Sequence, residues 1–180
     1  MIGEFESMIK MIHSFDNIDG RKLMALYRES NEENIAVFYP QMQDKREALA
    51  KVERDYLNYI KNDFFSSEGN AYVIYESDDI WLSALRLYRL QDGFYYIEAL
   101  ETHPQYRRKG YGVCLLAGLI DMLKEQGSFK ICDCVGKKNL ASLSVHKRCG
   151  FEITDEVGHD YLQNETDDRC YSLEYIYQRS

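Results

Sequence analysis

The residues Arg107-Arg108-Lys109-Gly110-Tyr111-Gly112 gather three cations and two glycines into six positions. They follow a strand-like run, Gly93 to Thr102, and open an apolar helical run, Val113 to Leu123. Glycine lets the backbone approach a ligand closely, and the first turn of a helix leaves N–H groups without helical partners. Anions bind at such turns because free donors and the helix dipole point at them. The chemistry this suits is capture of a phosphate-rich ligand. A dinucleotide fingerprint would need Gly-x-Gly-x-x-Gly in a βαβ unit, and a Walker A loop its own spacing; neither pattern is present.

Two carboxylates sit on the strand that leads into this turn. Strict alternation puts Tyr96, Glu98, Leu100 and Thr102 on one face and Tyr95, Ile97, Ala99 and Glu101 on the other. A bulge near the strand's end would break that tally. Asp133 on the next strand is a weaker acidic candidate. His146 sits in a helical run and titrates near neutral pH, so it suits acid or base work. The bland reading of His146 is a polar helix residue. His103, before Pro104, reads as a turn residue, and His13 and His159 carry no supporting pattern. Cys132 and Cys134 share a strand face, but no matching Cys/His cluster accompanies them, so no metal site is expected.

The 180-residue chain carries 30 acidic and 22 basic residues, a formal charge of −8. Duplex nucleic acid is therefore a poor partner, and a local cationic turn in an acidic chain suits a small anionic ligand. No apolar run approaches the roughly 20 residues that span a membrane. The first ten residues include Glu4 and Glu6 and lack the signal-peptide pattern. Five cysteines without framework spacing suit reduced thiols. A cytoplasmic protein without a membrane partner is the expectation.

Hydrophobic periodicity and turn residues outline the elements that must position these side chains. A short strand covers 8–13, a helix 16–28, a brief apolar run 35–39 ended by Pro40, and a long helix 43–64. That helix has Leu49, Val52, Tyr56, Tyr59 and Ile60 at three-to-four spacing. Strands at 71–76, 80–90 and 93–102 form antiparallel neighbours through Asp- and Gly-bearing turns. A helix over 113–124 ends at Gly127, a strand covers 129–135, and a helix over 140–148 closes at Gly150. Strands at 151–157 and 170–177 finish the chain, with a polar loop 158–169 between them. The order predicts an α/β (α+β) fold with a mixed, mostly antiparallel sheet flanked by helices, in one domain over 1–180. The 15 tyrosines suit strands. Those at 72, 75, 88, 95 and 96, with Trp81, are candidates for a substrate pocket or for plain core.

Thr102 to Gly112 resembles the acyl-CoA-binding signature of the GCN5-related N-acetyltransferases (GNAT): Arg or Gln, two residues, Gly, one residue, Gly or Ala. Arg107, Gly110 and Gly112 match, with Pro104 three positions ahead. A second block, Asn139 to Phe151, resembles the family's Asn, small residue, Leu-Tyr and Gly-Phe pattern at Asn139, Ser142, Gly150 and Phe151. The chain departs from it where Val145-His146 stands for Leu-Tyr.

The resemblance implies an acetyl-CoA-dependent N-acetyltransferase acting by direct attack of a primary amine on a small molecule or peptide. The alternative is a non-catalytic acyl-CoA-binding sensor of the same fold. The resemblance further implies coenzyme A held by Arg107, Arg108, Lys109, Gly110, Tyr111 and Gly112. Backbone pairing around Leu100 and Thr102, and contacts from Asn139 and Ser142, would complete that site. Glu98 is the first choice for the base, Glu101 the second, and His146 a candidate for the acid that family members place at the departing thiolate. Many relatives dimerise, so a homodimer is within what the resemblance implies, although no interface is legible.

Overall fold

The computed structural model describes residues 8–179; the reading of the first seven residues lies outside them. Seven strands form one sheet: β1 (Met8–Ile12), β2 (Ala71–Ser77), β3 (Ile80–Gln91), β4 (Phe94–Thr102), β5 (Phe129–Gly136), β6 (Glu152–Asp155) and β9 (Cys170–Tyr177). They lie in the order β1-β2-β3-β4-β5-β9-β6. Every neighbour pair is antiparallel except β4 with β5. The interior strands read as near-continuous apolar runs because helices cover both faces.

On one face α4 (Tyr111–Gln126) buries Leu115, Leu116, Leu119, Ile120 and Leu123 against Val73, Leu85, Leu87, Ile97 and Ile131. The second helix of that face is α5 (Leu140–Arg148), which adds Leu143 and Val145. On the opposite face α1 (Gly20–Leu26) and α3 (Lys45–Asn62) pack Leu23, Leu26 and Ile60 on Tyr72, Ile74, Tyr88 and Tyr96. Asp19 and Asp44 cap α1 and α3, each accepting two first-turn N–H groups, which is why both helices start where they do. Among the described residues no helix is long and apolar enough to cross a membrane.

Three elements differ from the sequence reading. The expected helix over 16–28 is α1, after a short 3-10 turn at Phe15–Asn17, and a further helix begins at once: α2 (Arg28–Phe38). The apolar run 35–39 is the end of α2, not a separate element. The break falls at Tyr27, whose hydroxyl donates 2.6 Å to the carbonyl of Ala99 and so ties the helix junction to β4. The polar loop 158–169 is a small hairpin of β7 (Gly158–Asp160) and β8 (Glu165–Asp167). Beyond β7, Tyr161 packs on Phe94 and Tyr96.

Two features of β4 decide which side chains share a face and where a cleft can open. Its parallel pairing with β5 covers only Phe94, Tyr95 and Tyr96, so the two strands part beyond Cys132. It also bulges. Arg86 and Ala84 of β3 stand opposite Glu98 and Glu101, so β4 takes one residue more than its partner. Ala99 absorbs the extra residue at φ +52°. The alternation expected from sequence fails here: Glu98 and Glu101 lie on the same sheet face, toward α1 and α3.

Candidate active site

A cleft of about 710 Å³ opens where β4 and β5 part. Its floor is Leu100, Glu101 and Thr102 of β4. One wall is the start of α4 and the preceding loop, with Arg107, Arg108, Gly110, Tyr111, Gly112 and Val113. A second wall is α5 and its cap, with Asn139, Ala141, Ser142, Ser144, Val145 and Arg148, and a third is α2, with Glu29, Ser30 and Glu33.

The basic end is built by backbone shape. Arg108 and Gly110 both adopt left-handed φ, +63° and +86°. Gly110 caps α4 without any side-chain acceptor on the first-turn N–H groups, and a Cβ built on it meets nothing within 4 Å. Successive amides at such a turn form an anion-binding concavity. Gly112 has a different role. A Cβ there would stand 3.4 Å from Thr102 Oγ1 and 3.6 Å from Val145, so the helix start lies close on β4 and α5. Arg107 is held by Glu29 of α2 in an ion pair and donates from Nε to the Thr102 carbonyl at 3.4 Å. Lys109 lies over the Tyr106 ring, outside the cleft lining.

On the cleft floor Glu101 is largely buried. Ser30 of α2 donates a hydrogen bond to its Oε1. Burial raises its carboxyl pKa; Ser30 and Arg107 oppose that rise, and Glu33 and Glu29 add to it. Glu98 lies elsewhere. It receives Arg86 Nη2 at 2.9 Å and the Tyr88 hydroxyl at 3.0 Å, and it does not line the cleft. Arg86 in turn lies over Tyr56 and Tyr59. Of the aromatics that the sequence offered for pocket or core, Tyr72, Tyr88, Tyr95, Tyr96 and Trp81 are core, and Tyr75 stacks on Tyr111.

His146 is fully buried and also outside the lining. Its Nδ1 donates to the Ser142 carbonyl at 2.8 Å, and Nε2 lies 2.8 Å from Asp133 Oδ2. Burial pulls the imidazole pKa down, but the Asp133 carboxylate and the Ser142 carbonyl outweigh it, and the net shift is upward. Asn139 accepts the Ser142 N–H at 3.1 Å and so caps α5.

The sequence model of the acetyltransferase (GNAT) family matches residues 22–151. The chain belongs to that family. A search of curated proteins found no match. Among solved structures, the GNAT chain is similar to the PaiA N-acetyltransferase from Thermoplasma acidophilum in complex with coenzyme A. They share 20% identity at TM-score 0.65 over 96% of this chain and 99% of that one. It is similar to the ribosomal-protein-S18-alanine N-acetyltransferase from Escherichia coli, at 15% identity and TM-score 0.64 over 97% and 96%. It is also similar to a phosphinothricin acetyltransferase from Sinorhizobium meliloti in complex with AcCoA, at 15% identity and TM-score 0.57 over 96% and 89%. At these identities the likeness establishes the GNAT fold.

The α2 wall was not legible in the sequence. Glu29, Ser30 and Glu33 belong to a polar segment without apolar periodicity, and only the fold brings it to β4. Arg148 likewise gave no signal beyond its helix.

Proposed function

We propose that this GNAT protein transfers the acetyl group of acetyl-CoA to the primary amine of a small molecule or peptide. The observation that carries this reading is that one cleft holds both an anion-binding turn and an acid. Left-handed Arg108 and Gly110, with Arg107, form the anion-binding turn, and the largely buried Glu101 lines the same cleft. The residues fit the donor. Open space over Gly110 leaves room for a phosphate against the α4 amides, and the arginines add charge and directed hydrogen bonds. Acetyl-CoA supplies an acetyl thioester.

The chain's own groups do the rest. The margin of β4 that has left β5 offers backbone groups along which the donor's arm can pair, and an N–H there suits the carbonyl oxygen as charge develops. Glu101 takes the amine proton as nitrogen bonds to the acetyl carbon and the carbon–sulfur bond breaks. A raised carboxyl pKa brings the base nearer the pH at which it works. His146 is buried beside Asp133 and outside the cleft lining, which disfavours direct contact with the leaving sulfur. A thiolate of ordinary thiol basicity (pKa about 8.5) can depart without a proton from α5.

The test is thiol release from acetyl-CoA against a broad amine panel. Amine-dependent release supports the reading. Tight acetyl-CoA binding with no release for any amine favours the non-catalytic sensor. Gly110→Ala checks the basic end: at φ +86° a Cβ costs about 1–2 kcal/mol of strain. Calorimetric titration is expected to show acetyl-CoA binding weakened by about tenfold, with kcat at saturation little changed.

A further inference from the structure

One turn of chain, at the junction of α1 and α2, touches all three working parts of the cleft. Tyr27 donates 2.6 Å to the carbonyl of Ala99, the bulge residue of β4. Glu29 pairs with Arg107, the arginine of the basic end. Ser30 donates to Oε1 of Glu101. The bulge that turns Glu101 to this face is thus fixed by the same segment that binds its carboxylate. Ser83 holds the residue from behind, its hydroxyl donating 2.6 Å to the Glu101 carbonyl.

We infer that Ser30 is the positioning residue of the acyl-transfer site. Its hydroxyl fixes the Glu101 carboxylate in one orientation and sets how readily that group takes a proton. The inference rests on Glu101 being the base. Glu101 is partly buried in the cleft floor, and Ser30 supplies the one side-chain hydrogen bond that it has among the described residues. A hydrogen bond to the charged form favours that form. The charged and titratable groups around Glu101 come from four elements: Glu29 and Glu33 of α2, Arg107 of the loop, Tyr27 at the helix junction and Tyr56 of α3. Only Arg107 among them opposes the two neighbouring carboxylates, and it is shared with Glu29. Without Ser30 the carboxylate loses its donor while the repulsion stays, so Glu101 holds its proton to higher pH.

The experiment compares wild type, Ser30→Ala, Ser30→Thr and Glu101→Gln. The Glu101 carboxyl is titrated by NMR on glutamate-labelled protein, its resonance assigned as the one missing from Glu101→Gln. The pH–rate profile is measured with acetyl-CoA and the best amine of the panel. Ser30→Ala is expected to move the Glu101 titration and the acid limb of the rate to higher pH. It also lowers kcat near neutral pH by about tenfold with KM for acetyl-CoA unchanged, and Ser30→Thr restores both. An unmoved Glu101 titration in Ser30→Ala, with Glu101→Gln inactive, overturns the role of Ser30 alone. Wild-type turnover by Glu101→Gln overturns the base reading and this inference with it.

Discussion

Glu101→Gln lowers amine acetylation by about 100- to 10,000-fold while acetyl-CoA binds as tightly as to wild type. That range is what a positioned general base contributes. The amide keeps the shape and can still accept from Ser30, so the change removes the proton acceptor and little else. Glu98→Gln separates the two acids that the sequence offered. Glu98 receives Arg86 and Tyr88, and a neutral side chain there leaves the largely buried Arg86 without its counter-charge. The expected outcome is a protein that unfolds at lower denaturant and, where folded, keeps most of its turnover. Stopped-flow or steady-state thiol release beside urea unfolding reads both. The reverse pattern, with Glu98→Gln inactive and stable, would move the base to Glu98.

At a pH where His146 is protonated, His146→Leu is expected to cost about 3–5 kcal/mol of stability, the usual consequence of removing one partner of a buried ion pair. Asp133 is left buried without its partner. The double variant with Asp133→Leu recovers part of that loss, because two apolar groups need no pairing. Urea midpoints of the two single variants and the double variant give the coupling directly.

The pH dependence follows from the same pair. The folded pKa of His146 lies above its unfolded value near 6.5. Its contribution to stability is therefore complete below that value and falls away as pH rises through the folded pKa. Wild type loses this increment on the alkaline side and His146→Leu has none to lose, so their midpoints converge as pH rises.

The sequence offered the basic turn that now lines the cleft, Lys109 apart, because the signals there are local. Glycine at a left-handed position, cations beside it and a helix start are all written within six residues, and the family's two blocks frame them. The strands and the α4 and α5 helices were legible for the same reason, since apolar periodicity and glycine stops are short-range signals. The identity of the acid facing the cleft was not. Alternation separated Glu98 from Glu101, and a single residue, Ala99 at φ +52°, put them back on one face. Alanine gives no warning of that conformation. Tyr27 and the β3 register fix it from sequence distances of 72 and about 15 residues. The surroundings of His146 were equally hidden. Its position matched a tyrosine that works on substrate in relatives, whereas its partner, Asp133, draws it into the interior. The α2 wall was missed because a polar helix start looks like solvent-facing chain until the fold shows what it meets.

The parallel contact between β4 and β5 has three rungs, Phe94 to Tyr96. The rest of the sheet is thus two leaves, four strands and three, stitched together at one end of a single seam. Main-chain amides on the loose margin of β4 beyond residue 96 have no strand to bind, so they exchange with deuterated solvent sooner than those turned toward β3. In the proposed binding mode a donor lies along that margin in place of a strand and slows them. Hydrogen exchange of this one stretch therefore reports occupancy of the cleft before any acceptor is supplied, and it does so without any turnover.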